Sequence, residues 1–241
     1  MAFGPNRTVM SRTQAAQAEM DLGLRAYMLR VYNYMSLGIA LTAIISFFFA
    51  SSQELLQLAL SLKWILFIGL LGLGFIAPRL MMTKSVAIAQ ISYWAYASLW
   101  GILIAPMMAA YAAMDPMLIV RAFAITAGTF AGMSLVGYTT KKNLSGLGGF
   151  FTMATIGILI ALLINVFFVQ SSGLSLIISI GVVLLFSGMT AYETQMIKSM
   201  YYEDDAGDTL AKKAVFGAFM LYGSFITLFI YILSILGIMR D

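Results

Sequence analysis

The sequence predicts an all-α membrane protein, a bundle of seven transmembrane helices. The composition is 61% hydrophobic and only 10% charged over 241 residues. A soluble domain carries about 25% charged residues, so this chain has too little charge to cover a water-facing surface and its solvent must be lipid. Seven stretches reach the roughly 20 apolar residues that a span needs. The basic residues gather on alternate connections, as the positive-inside rule requires of a multi-pass protein.

The spans are expected at 29–50, 62–79, 86–112, 117–137, 149–169, 174–197 and 214–238. They form one membrane domain, 29–241, preceded by a cytoplasmic tail, 1–28. No apolar run occurs before residue 29, so no signal peptide is expected and the first span should stay as an anchor. Asp115-Pro116 reads as a helix cap followed by proline at the first helical position, where its missing N–H costs nothing. Pro78 falls at the end of the second span. Pro106 lies inside the third and should kink or end it. Gly128 and Gly132 form a small-xxx-small pair, and Gly69, Gly72 and Gly74 cluster in the second span. Close helix packing is the plainer reading of these glycines, a homodimer face the alternative. The eighteen methionines lack a sustained spacing and read as packing filler.

An N-terminus inside places Arg7, Arg12, Arg25, Arg30, Arg79, Lys84, Lys141, Lys142, Lys198, Lys212 and Lys213 in the cytoplasm. The opposite side receives only Lys63, Arg121 and Arg240. So uneven a division of the fourteen basic residues predicts N-inside and C-outside.

Much chemistry is excluded at once. Cysteine and histidine are both absent, which removes disulfides, thiolate nucleophiles, histidine-ligated metals and Ser-His triads. No enzyme activity and no cofactor are expected. The net charge of +4 belongs to cytoplasmic loops, so the partner is the lipid bilayer and no nucleic acid is expected.

Ten carboxylates are present, and one of them, Glu193, sits at membrane depth. An acid at a helix centre costs roughly 2.5–3.5 kcal/mol on insertion scales, less toward the ends. One reading is a helix-end acid that reaches the interface. The other notes that Phe186, Met189, Thr190 and Ile197 share its helical face, which turns the acid into the bundle. Burial disfavours a charged carboxylate and a nearby cation favours it; that opposition is the physical basis for a proton-sensitive gate.

Three further groups need a reading. Gly217, Ser224, Thr227, Tyr231 and Ser234 make one small-polar stripe on the seventh span, either helix–helix glue or the wall of a polar path beside Glu193. Arg79 and Arg121 either snorkel to the headgroups or, for Arg79, pair with Glu193 and close that path. Glu203, Asp204, Asp205 and Asp208 lack the ligand spacing of an EF-hand and read as a solvated loop.

Three stretches then resemble the Bax inhibitor-1-like family. They are Thr190-Ala191-Tyr192-Glu193-Thr194-Gln195, then Gly137-Tyr138-Thr139-Thr140-Lys141-Lys142-Asn143-Leu144-Ser145, and Leu221-Tyr222-Gly223-Ser224-Phe225-Ile226-Thr227-Leu228-Phe229. The run from Gly137 to Ser145 resembles the family's Lys-Lys-Asp-Leu-Ser loop, and the run from Leu221 to Phe229 its Leu-Tyr-Leu-Asp-Phe-Ile-Asn-Leu-Phe segment. The resemblance implies a bundle with the last helix at its centre, a bacterial inner-membrane location and a pH-sensitive calcium leak. It also implies a gate in which an acid from span six and an acid from span seven share a proton and meet a basic residue from span two. Glu193 matches the first acid and Arg79 the basic residue, whereas Ser224 stands where the second acid belongs. One carboxylate and a hydroxyl make a poor calcium site, since calcium takes six to eight oxygens with enough negative charge. The ion pathway and pH sensing are therefore assigned to Glu193, with Ser224, Arg79, Thr190, Thr227 and Tyr231 around it, passing protons or cations and with calcium in doubt. Some bacterial relatives are linked to a membrane AAA protease. That gives the alternative reading, a non-transporting regulator whose N-terminal tail serves as a handle.

Overall fold

A computed structural model describes residues 12–240, with side chains from residue 22. Its helices are α1 (Arg12–Ala50), α2 (Gln53–Ser61), α3 (Lys63–Thr83), α4 (Val86–Met114), α5 (Pro116–Thr139), α6 (Gly148–Ile164), α7 (Ser172–Ser199) and α8 (Gly207–Ile238). A single 3₁₀ turn, Ser145–Leu147, leads into α6, and a π turn, Asn165–Val169, ends it. Seven segments are long and apolar enough to span a membrane, running Leu22–Ala50, Lys63–Thr83, Val86–Met114, Pro116–Thr139, Ser145–Val169, Ser172–Ser199 and Gly207–Ile238. These are the seven expected spans, mostly extended by several residues at their ends.

Four expectations change. The first helix reaches back to Arg12, so the described part of the tail is helix continuous with span one; residues 1–11 lie outside the described residues. A short helix, α2, fills what reads in sequence as a loop between the first two spans. Ser52 caps it by accepting a hydrogen bond from the Leu55 amide. Pro106 does not end its helix, since α4 runs on to Met114, and Pro78 lies inside α3. A membrane helix tolerates the lost bond where its neighbours satisfy the freed carbonyl. Finally, Gly128, Gly132, Gly69 and Gly72 meet nothing that an added Cβ would touch, so they are not the sites of close packing within the chain.

Close packing occurs at other glycines. Gly38 of α1 lies against the Tyr93 hydroxyl of α4, and Gly101 of α4 against Ile45 and the Thr42 carbonyl of α1. Gly137 of α5 admits the backbone of Ala191 on α7, and Gly217 of α8 admits Ile197 of α7. The Asp115 cap and Pro116 start α5 as the sequence predicts, with the carboxylate accepting from the Met117 amide at 3.0 Å.

The last helix is the centre of the bundle. α8 packs against α1, α3, α4, α5 and α7, and over half of its apolar window is buried, whereas α6 is almost wholly on the outside. In lipid the apolar effect does not separate inside from outside, so small residues and hydroxyls decide which faces meet. α8 follows this rule on two sides. The Tyr222 hydroxyl bonds Thr42 of α1 at 2.6 Å, and Ser224, two residues on, bonds α7.

Candidate functional site

The first and third of the three motif stretches meet inside the bundle. The Ser224 hydroxyl of α8 donates to Glu193 Oε2 of α7 at 2.7 Å. Glu193 is 7% exposed and Ser224 2% exposed, so the bond is shielded from solvent. Two features of the sequence produce this. Glu193 shares its face with buried Thr190 and Ile197, and Gly217, two turns before Ser224, brings α8 against Ile197 of α7.

The cation is missing from this arrangement. Arg79 is exposed on α3, and α3 packs on α4 and α8. Among the described residues the ion pairs are Lys213–Asp205 and Arg240–Asp115; Glu193 and Arg79 do not pair. Nor do the other hydroxyls converge on the acid. Thr190 donates to the Phe186 carbonyl and Thr227 to the Gly223 carbonyl, each within its own helix. Tyr231 is half-buried, about two turns along α8 from Ser224. Of the six residues singled out in sequence, the structure joins Glu193 and Ser224 directly.

Each remaining position of the Tyr192–Gln195 run has a different task. Thr194 donates to the Thr190 carbonyl and exchanges a hydrogen bond with Ser134 of α5 at 3.0 Å; Ser134 in turn bonds the Tyr32 hydroxyl of α1. Gln195 clamps the loop between α5 and α6. Its Oε1 accepts from the Leu144 amide at 2.7 Å, and its Nε2 donates to the Lys142 carbonyl at 2.8 Å. Tyr192 packs against Phe151 of α6 with the rings tilted and their centroids 5.5 Å apart. The Gly137–Ser145 stretch is therefore fastened to the Thr190–Gln195 stretch by Gln195. At the same end, Lys198 donates to the Tyr138 carbonyl at 2.9 Å and lies over the Tyr138 ring.

Sequence reasoning missed Tyr32, Ser134, Gln195, Thr42 and Tyr222 as polar contacts. Ser134 and Thr42 are lone hydroxyls in apolar helices, a weak signal. Gln195 stands inside the quoted motif. Beyond the Tyr222–Thr42 bond lies a cavity of about 420 Å³ between α1, α4, α5 and α8, apolar apart from Thr42 and Ser46. Among the described residues no group of three or more acids could hold a metal ion; the acidic loop contributes one side chain, Asp205, to the pair with Lys213.

The fold and this site define a polytopic helical membrane protein, a seven-span bundle with one acid enclosed beside its central helix. The chain belongs to the family described as inhibitor of apoptosis-promoting Bax1, whose model matches residues 24–241. It is 38% identical over 218 residues to an uncharacterized protein of Deinococcus radiodurans, covering 90% of this chain and 92% of that one. It is 36% identical over 221 residues to the inner membrane protein YbhL of Escherichia coli strain K12, covering 89% of this chain and 92% of that one. A Rickettsia prowazekii relative is 36% identical over 231 residues, covering 95% and 96%.

Proposed function

We propose that the protein is a proton-gated cation pathway of the bacterial inner membrane, not an enzyme, with its N-terminus in the cytoplasm and its C-terminus outside. The observation that carries this reading is the Glu193–Ser224 bond, a carboxyl enclosed between two spans with a hydroxyl and no ion-pair partner among the described residues. An ionisable group in such a place is a functional candidate by default, because placing it there is costly. The bond latches α7 to the central helix. Ser224 donates to the carboxylate, and a carboxylic acid offers a weaker acceptor and a donor of its own. Gain or loss of one proton at Glu193 therefore changes how firmly the two helices are held.

The pathway passes protons or monovalent cations in preference to calcium. Glu193 and Ser224 supply one charge and three oxygens, too few for calcium's six to eight ligands. The test is ion flux through purified protein in liposomes, stepped across pH. Wild type should show a pH-dependent proton or monovalent flux, Glu193→Gln should lose the pH dependence, and Ser224→Asp should add calcium flux. Flux that is absent at every pH, or unchanged by Glu193→Gln, overturns the reading.

A further inference from the structure

Another polar site lies away from Glu193, at the basic end of the bundle. The α5–α6 loop and the last turns of α7 border an open cavity of about 390 Å³, lined by Lys141, Lys142, Asn143, Ser145, Tyr192 and Gln195 among others. No carboxylate lines it. Five donors face this region without a hydrogen-bond or ion-pair partner among the described residues: Lys141 Nζ, Lys142 Nζ, Asn143 Nδ2, Ser145 Oγ and Tyr192 OH. Two nearby side-chain amides are instead turned to the loop backbone. Asn143 Oδ1 takes the Ser145 amide at 2.9 Å, and the Gln195 amide is spent on the loop backbone.

The floor is fastened to the bundle as well. Gln195 holds Lys142 and Leu144 by their backbones, and Phe151 fixes the Tyr192 ring. A rim of two cations over a fixed set of neutral donors matches a tetrahedral anion with several acceptor oxygens. α5 and α7 are two of the seven candidate spans and both end at this cavity; headgroups are met at the ends of spans, and on the cytoplasmic side proposed above, basic pockets between helices take lipid phosphates.

We infer that this cavity is a phosphate-binding site, filled by the headgroup of an anionic phospholipid or by a soluble phosphate. Asn143 is the sharpest probe. An aspartate there keeps the Oδ1 that accepts the Ser145 amide, so the loop stays folded, yet it places a negative charge among the donors.

The experiment titrates the detergent-solubilised full chain with three probes: short-chain phosphatidylglycerol, short-chain phosphatidylcholine and inorganic phosphate. Phosphatidylglycerol should bind more tightly than phosphatidylcholine, whose ammonium the lysines repel. The K141Q/K142Q double variant and N143D should each weaken phosphatidylglycerol by roughly tenfold or more, with unchanged melting temperature. Inorganic phosphate that competes at the same site assigns it to the phosphate group alone, and phosphatidylglycerol binding without such competition assigns it to a lipid; both support the site. Equal binding of the two lipids, binding that survives N143D or the double lysine variant, or no binding of any probe overturns it.

Discussion

Gly137 and Ala191 touch backbone to backbone. A Cβ on Gly137 would overlap the Ala191 carbonyl oxygen and stand 2.8 Å from its Cα. Both atoms belong to helix backbone, so neither can turn aside. Gly137→Ala must therefore push α5 off α7, next to the residues that carry Glu193, Thr194 and Gln195. It should lower the melting temperature of the purified protein and loosen the Ser134–Thr194 contact. Gly128→Ala, on the same helix with nothing within 4 Å, is the matched control. There alanine's helix propensity gains up to about 1 kcal/mol, so the melting temperature should hold or rise.

Ser224→Ala should cost more than its size suggests. It removes the hydrogen bond that Glu193 receives and leaves a buried acceptor unmet, a loss of about 1–3 kcal/mol. Adding Glu193→Met to it should recover part of that loss, because no buried polar group is then left without a partner. A double-mutant cycle by thermal or denaturant unfolding in detergent reads this directly; strictly additive effects would mean that the two side chains do not interact.

Gln195→Ala should release the α5–α6 loop while leaving the bundle standing. Each of its two bonds is worth about 0.5–1.5 kcal/mol, so deuterium exchange at the Leu144 amide should quicken several-fold. Exchange in α8 should not move, since that helix is held through Thr42 and Glu193. Uniform quickening across all helices would contradict the clamp.

Asp115 gives a pH dependence with a definite sign. The Met117 amide, and after it the Arg240 guanidinium, hold its carboxyl below the usual range against the opposing effect of desolvation. A lowered folded value means stability that is present above the ordinary aspartate range of about 3.9 and lost as pH falls through the folded value. The 2.7 Å pair between Arg240 and Asp115 should thus tether the end of α8 at neutral pH and release it only once pH falls below the ordinary aspartate range. Amide exchange near Met239 across a pH series measures the release, and Asp115→Asn should abolish the transition by removing the pair at every pH.

The spans and their order were legible because lipid imposes one simple demand, about 20 apolar residues per crossing, and because Asp115-Pro116 is a local cap signal. Glu193 was legible because charge at that depth is rare. What the sequence hid depends on which faces meet. Gly128 and Gly132 have the spacing of a packing motif and face outward, while Gly38, Gly101 and Gly217, none of them four residues from another glycine, do the packing. Arg79 is placed to reach Glu193 only if α3 packs on α7, and α3 packs on α4 and α8 instead. The α2 helix was hidden because its nine residues are too few for any periodicity to outweigh the polar residues Ser51, Ser52 and Gln53 at its start.

The central position of α8 also sets an order of assembly. The ribosome delivers residues 207–238 after the six other spans, so those spans enter the membrane around a vacancy. Until α8 arrives, Thr42 lacks Tyr222, Glu193 lacks Ser224, and α1 has no wall on its inner side. Domains form from the N-terminus during synthesis, but this one cannot close until α8 is released. A chain cut short before residue 207 is therefore a different object from the same bundle missing a peripheral helix such as α6. It is a half-built ring with an unpartnered acid side chain at its hub.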